Sequence, residues 1–461
     1  MHFLICSLKK NLIVCSIASV IVTSPLSAQP LTHDKQNVPP TRFSDLWRYA
    51  QESDKQWLQQ RKEFEAIRQQ EKIDRSNLGT TLALNADASR VYADVETETD
   101  VESTNYTDKT YAVQLEQPLY NAPAWHRVKA TKANIEASRF DLNDQRQLLA
   151  QRLVQALVGL LNARSEVTFA RAEEKAIERQ FNQTEQRFEV GLVAKTDVLD
   201  AEAAQDLAKV RVLDAENALQ QAREELRIIT SVNAMPEFDL KSNLTLLDFN
   251  QKQESQWVEK SLNENLQLEA QEARLEAFEH LIVAQRREWM PTVDAFALYS
   301  DSDTSRVVGS SFAGESRSVG VGLTWIPFQG GRLKATYQQI QLQRDATLAQ
   351  QALLQERVTT DSRNLVRDLQ TGEQRIASRA TAITSARSAL EATEEGYRLG
   401  TRNVVDVLNA QQILFRTQSD YANSRYQYVQ DLVSLYAITG ELTDQQLNEL
   451  DAWFEPAEDT L

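Results

Sequence analysis

Two stretches of the chain decide its fold: GYRLGTRNVVDVLNAQ at 396–411 and RFEVGLVAKTDVLDAE at 187–202, set 209 positions apart. Each has a glycine (Gly191, Gly400) followed by Asp-Val-Leu-x-Ala, beginning at Asp197 and Asp406. Each ends a long proline-free run; in the first, Leu148, Leu153, Leu157 and Leu161 recur at near-helical spacing with charges between them. That periodicity predicts an amphipathic helix. A glycine at its end reads as a stop, because glycine takes the left-handed conformation that closes a helix without a Cβ penalty. Thr196 and Asn403 are the candidate N-caps of the helix that follows each turn. The chain therefore builds one helical elbow twice.

Working outward, the duplication covers most of the chain, roughly 43–236 and 254–440, each half reading helix, strand, loop, strand, very long helix, glycine turn, return helix. The first half opens with a helix from FSDLWRYAQES onward, with Ser44 as its candidate N-cap. The period then changes. TTLALNADAS sets Leu82, Leu84, Ala86 and Ala88 against Thr81, Ala83, Asn85 and Asp87, and YAVQLEQPLY sets Tyr111, Val113 and Leu115 against Ala112, Gln114 and Glu116. Alternation of this kind is a strand. The second half repeats it in PTVDAFALYS and VGVGLTWIPFQGG, with Leu115 and Leu323, and Tyr120 and Phe328, each 208 apart. The start RVKAT (127–131) likewise returns as RLKAT (332–336). The expected strands are 79–94, 110–119, 291–301 and 318–327, with polar loops inside each pair. The long helices are expected at 125–190 and 331–399, and the return helices at 196–231 and 403–438. At 1.5 Å per residue, roughly 65 helical residues reach about 100 Å. Residues 237–253 and 441–461, which lack a long period, are expected at mid-height as a belt.

Residues 1–28 read as a secretory signal: Lys9 and Lys10, then the apolar NLIVCSIASVIV, then a small residue, Ala28. Both cysteines, Cys6 and Cys15, lie in that segment, so the mature chain would have no thiol chemistry. Losing two lysines and no acids takes the formal charge from −16 to −18, which argues against nucleic acid as a partner. Beyond residue 28 no run approaches the apolar length of about 18 residues that a spanning helix needs. Entry into a membrane would have to use the strands. Their length of about ten residues, with one apolar and one small or polar face, suits a wall between lipid and a wet lumen. Four strands cannot close a barrel, and an open edge in lipid leaves backbone groups unpaired; several copies must close it together. Tyr120, Trp125, Trp289, Trp325 and Phe328 cluster where strands give way to helices, as an interfacial girdle would; packing at a junction is the other reading. The four histidines are scattered, and no metal, phosphate-loop, dinucleotide or nucleophile-elbow motif occurs, so neither an enzyme nor a cofactor is expected. A periplasm-spanning coiled-coil tether or adhesin stalk would explain the helices, but not the alternating segments.

The elbows QRFEVGLVA-TDV and GYRLGTRNVVDVLNAQ, the RLKAT helix start after PFQGG, and ANSRYQYVQDLVSLYAITGELTDQQL resemble the outer-membrane efflux protein family over nearly the whole mature chain. The resemblance implies a mixed fold: a long α-helical periplasmic barrel joined to a twelve-stranded outer-membrane β-barrel shared by a homotrimer, with four strands and two repeats per chain. It also implies a function as an exit duct of tripartite efflux pumps or type I secretion, in a Gram-negative outer membrane. The partners it implies are a periplasmic adaptor protein and an inner-membrane pump or ABC exporter, with outer-membrane lipid around the barrel. By the same resemblance Tyr397 and Arg402 link the second hairpin to Thr196 and Asp197 of the first, and Asp406 forms a ring of acids at the closed tip. Where the family has a second aspartate one turn later, this chain has Asn409, so the ring would hold three carboxylates rather than six. Asp200, at the equivalent place in the first half, keeps its carboxylate.

Overall fold

The computed structural model describes residues 39–96, 101–241, 251–306 and 312–456. The signal segment, residues 242–250 and the last five residues lie outside the described set. The first repeat runs α1 (Phe43–Ser53), α2 (Lys55–Ser76), β1 (Thr81–Glu96), β2 (Val101–Tyr120), α3 (Ala122–Glu189) and α4 (Lys195–Thr230). A short strand, β3 (Phe238–Leu240), leads to the second repeat: α5 (Gln251–Glu264), α6 (Leu266–Arg287), β4 (Thr292–Arg306), β5 (Phe312–Thr324), α7 (Arg332–Arg398) and α8 (Val404–Ile438). The chain ends in α9 (Asp444–Glu449), a 3-10 turn and β6 (Phe454–Pro456).

The opening helix is broken, contrary to expectation. Ser44 is not its cap; α1 starts after Arg42, whose side chain makes no cap bond, and the Ser44 amide donates to Asp451 Oδ1 at 2.9 Å. The break falls at Asp54 (φ −64, ψ 121), whose Oδ1 accepts the Trp57 amide at 2.6 Å and so caps α2. Asp54 is also buried against Arg152 of α3, which donates at 3.0 and 3.2 Å. The second repeat breaks alike: Asn265 (φ −69, ψ 120) accepts the Gln267 and Leu268 amides, and its Nδ2 donates to the Ile438 carbonyl. A capping side chain held by a distant partner thus outweighs continuous helical propensity in both halves.

The strands form one antiparallel sheet in the order β1-β2-β4-β5, so β1 and β5 are its two edges. β2, β4 and β5 are longer than expected, because the polar segments taken for loops carry the ladder on: Arg90 pairs with Thr107 and Val95 with Glu102. Hydrophobic alternation ends where lipid would end, but backbone pairing does not. Across the sheet, Leu82, Leu115, Ala297 and Val319 share one row, and Leu84, Val113, Tyr299 and Arg317 the next. That face is mostly apolar, with Arg317 at its upper row, and largely exposed in a single chain.

Below the sheet the two long helices, of 68 and 67 residues, each reach about 100 Å and pair antiparallel with α4 and α8. The largest core lies at mid-height. There Leu149, Leu153, Leu157 and Leu161 of α3 meet Phe43, Leu46 and Trp47 of α1 and Val429 and Val433 of α8. β3 pairs antiparallel with β6, with Phe238 edge-on to Phe454 at 5.2 Å. The Lys241 amide donates to the Trp453 carbonyl at 2.9 Å, and Tyr426 OH to Asp239 Oδ1 at 3.1 Å. Burial raises the Tyr426 phenol above its ordinary pKa, which keeps it a donor.

Candidate functional site

The two elbows close by one physical device. At the end of α3 the Leu192 amide donates to the Arg187 carbonyl and the Gly191 amide to the Phe188 carbonyl. At the end of α7 the Thr401 amide donates to the Gly396 carbonyl and the Gly400 amide to the Tyr397 carbonyl. Both are Schellman closures, which need a left-handed residue at the glycine; φ is 77° at Gly191 and 79° at Gly400.

The helices that leave the elbows start differently. Asn403 caps α8: its Oδ1 accepts the Asp406 amide at 2.8 Å, and Asp406 Oδ2 accepts the Asn403 amide at 3.2 Å, a reciprocal capping box. Thr196 does not cap α4. The N-cap is Ala194, and only the return bond exists, from the Ala194 amide to Asp197 Oδ2 at 3.3 Å. Thr196 lies exposed in the first turn. The expectation failed because the cap falls two residues before Thr196, at the same three-residue distance from Gly191 as Asn403 is from Gly400.

Tyr397 is buried with Ile177, Ala201, Val404 and Val407 in a small core that locks the hairpins of one chain together. Its OH lies 3.4 Å from Thr184 Oγ1, and the Arg187 guanidinium stands 4.6 Å over its ring. Within one chain it therefore engages α3, not Asp197. Arg402, in the turn just before α8, is exposed, with Nη1 at 4.0 Å from Asp406 Oδ2 in the first turn of that helix, and no bond joins it to Thr196 or Asp197. The structure thus brings Arg402 and Asp406 together and leaves the first-hairpin pair apart from them. Asn409 and Asp200 both line a cavity of about 300 Å³ between α3, α4 and α8, so the first-half carboxylate lies beside the position where the second half has an amide. Arg187 and Thr184 were missed in the sequence. Arg187 lies within the QRFEVG stretch, but nothing in its spacing says that its guanidinium covers a ring 210 positions on.

At the other end the five junction aromatics gather where the strands meet the helices. Tyr120 stands edge-on to Trp125 at 5.4 Å, Trp289 packs against Tyr337, and Trp325 Nε1 donates to the Trp289 carbonyl at 3.0 Å. Phe328 is 79% exposed. Among the described residues no group of three or more His, Cys, Asp or Glu side chains is arranged to hold a metal ion, and no helix is long and apolar enough to cross a membrane.

A four-stranded, one-face-apolar sheet mounted on paired helices of about 100 Å defines an outer-membrane channel protomer. The sequence profile of the outer membrane efflux protein family matches residues 46–231 and 257–441, and the chain belongs to that family. It is 28% identical over 348 residues to the outer membrane protein TolC of Vibrio cholerae, covering 75% of this chain and 80% of that protein. It is 23% identical over 420 residues to the alkaline protease secretion protein AprF of Pseudomonas aeruginosa, covering 90% and 87%. The fold matches the Campylobacter jejuni CmeC outer membrane channel with a TM-score of 0.73 at 16% identity, covering 91% and 90% of the two chains.

Proposed function

We propose that three copies of this chain close one twelve-stranded barrel in the outer membrane, continued by a twelve-helix tunnel across the periplasm. The assembly is an exit duct for efflux or type I secretion. The observation that carries this reading is the sheet itself. Its edges, β1 and β5, lie at opposite ends of a four-strand order, while one face is mostly apolar from the row of Leu323 and Val293 to that of Ala297 and Val319. Edges left open in lipid would forfeit every backbone bond along them. Neighbouring copies satisfy both at once.

The same logic applies lower down. Leu199, Leu207, Val210 and Leu213 of α4 are 52 to 70% exposed in one chain, which suits a helix awaiting a neighbour. On this reading the tip is a gate. Arg402, free of the first hairpin of its own chain, reaches Thr196 and Asp197 of an adjacent protomer, and Asp406 supplies three carboxylates to the closed ring. An adaptor protein and an inner-membrane pump or ABC exporter open it by offering replacement contacts. The aromatics from Tyr120 to Phe328 seat the barrel at the inner lipid interface. Cargo would be drugs, toxic small molecules or unfolded proteins, in keeping with relatives named for protease secretion and for cobalt-zinc-cadmium resistance. The mass of detergent-extracted protein tests this: three chains that separate only on heating are expected, and a lone subunit would refute it. Antibiotic sensitivity and toxin secretion, measured together in a deletion strain, would then assign the cargo.

A further inference from the structure

The wet face of the sheet has one feature that a plain lining does not need. In the rows level with the apolar band, this face is made of Thr81, Ala83 and Asn85 of β1, Gln114 and Glu116 of β2, Asp294, Phe296, Leu298 and Ser300 of β4, and Ser318, Gly320 and Gly322 of β5. Within it Phe296 and Leu298 are the two large apolar side chains. Phe296 is 37% exposed. Its row reads Thr81, Glu116, Phe296, Gly320, and the row beneath pairs Pro118, Asp294 and Gly322.

Gly320 is fitted to the ring. A Cβ built there would lie 2.8 Å from Phe296 Cζ and 3.1 Å from Cε1. The ring therefore crosses to β5 and rests on bare backbone, with its outer face turned to the bore. Directly opposite on β2 stands Glu116, and one row away Asp294; no Lys or Arg occurs on this face in these rows. An aromatic face presents partial negative charge, and two carboxylates beside it add full ones. Apolar surface with negative potential suits one ligand class: aromatic or lipophilic organic cations.

We propose that Phe296, seated on Gly320 and flanked by Glu116 and Asp294, is a cargo-contact station in the barrel wall that retains aromatic organic cations, one station per protomer. This rests on the duct reading, because only a closed barrel makes this face a bore. Single-channel recording of the reconstituted full-length trimer tests it, with ethidium added on the barrel side and tetramethylammonium as the non-aromatic control.

Ethidium is expected to cause brief partial blocks that tetramethylammonium does not. Phe296→Ser shortens their dwell time by about threefold to fivefold, Glu116→Gln shortens it less, and Phe296→Trp restores it. Gly320→Ala drives the ring off the wall and lowers the open current. Unchanged dwell times in both Phe296→Ser and Glu116→Gln, with normal current, would overturn the station and leave the duct intact. So would unchanged dwell times with only a loss of heat stability, which would mean the ring merely covers a glycine. A trimer that carries no current even with Arg402→Ser at its tip sinks the duct and the station together.

Discussion

The mid-height belt and the periplasmic tip use the same chemistry to opposite ends. In the belt the Asp54 carboxylate is 3% exposed, receives two bonds from Arg152 and caps a helix. At the tip Arg402 is 60% exposed and stands 4.0 Å from Asp406. A pair whose carboxylate is buried and doubly bonded is costly to break from one side, whereas an exposed pair is worth about 0–1 kcal/mol. The belt is built to stay; on the gate reading proposed above, the tip is built to let go. A gate requires that difference: a docking partner can replace several weak polar links, but not a core of leucines.

The largest expected effect lies in the belt. Asp54→Ala removes a cap and strands Arg152, and should cost about 3 kcal/mol of protomer stability, read as a shift in the urea midpoint; a shift no larger than at the tip would erase the contrast. Next comes the elbow. Gly400→Ala forces a Cβ into left-handed backbone and should cost about 1 kcal/mol. Equal loss at Gly191→Ala would show that the two elbows are equivalent.

The two helix starts should differ more subtly. Asn403→Ala should lose about 1 kcal/mol of cap, while Ala194→Asn should gain somewhat less than that. A loss at both positions would mean that the first hairpin is held by something other than its cap. The smallest stability change belongs to Arg402→Ser, under about 1 kcal/mol. Yet it should give the largest functional change, with higher bilayer conductance and greater antibiotic leakage. Conductance that stays at the parental level in that variant would remove Arg402 from the gate.

Much of this was legible in the sequence because it rests on local rules. Gly191 and Gly400 announce left-handed helix stops, and the alternation at Leu82–Leu84 and Val319–Val321 announces strands. The misreadings share a cause. Ser44 and Thr196 are good capping residues by type, but the cap goes to whichever residue the tertiary turn places first, at Arg42 and Ala194. The run through Asp54 reads as one helix until Arg152, 98 positions away, makes a break worthwhile. The segment near Thr107 reads as a loop because its polarity reports water, not the absence of pairing.

By itself, then, the sequence determined the repeat, the element types, the proline-free length of the helices and the two-faced strands, because each depends on neighbours within a few residues. Tertiary structure alone decided that Tyr397 turns to Thr184 and Arg187, that β3 finds β6, and that Phe296 rests on Gly320. Those contacts join residues far apart in the chain. Such partners are chosen by packing and by the need to satisfy buried polar groups, which no local pattern encodes.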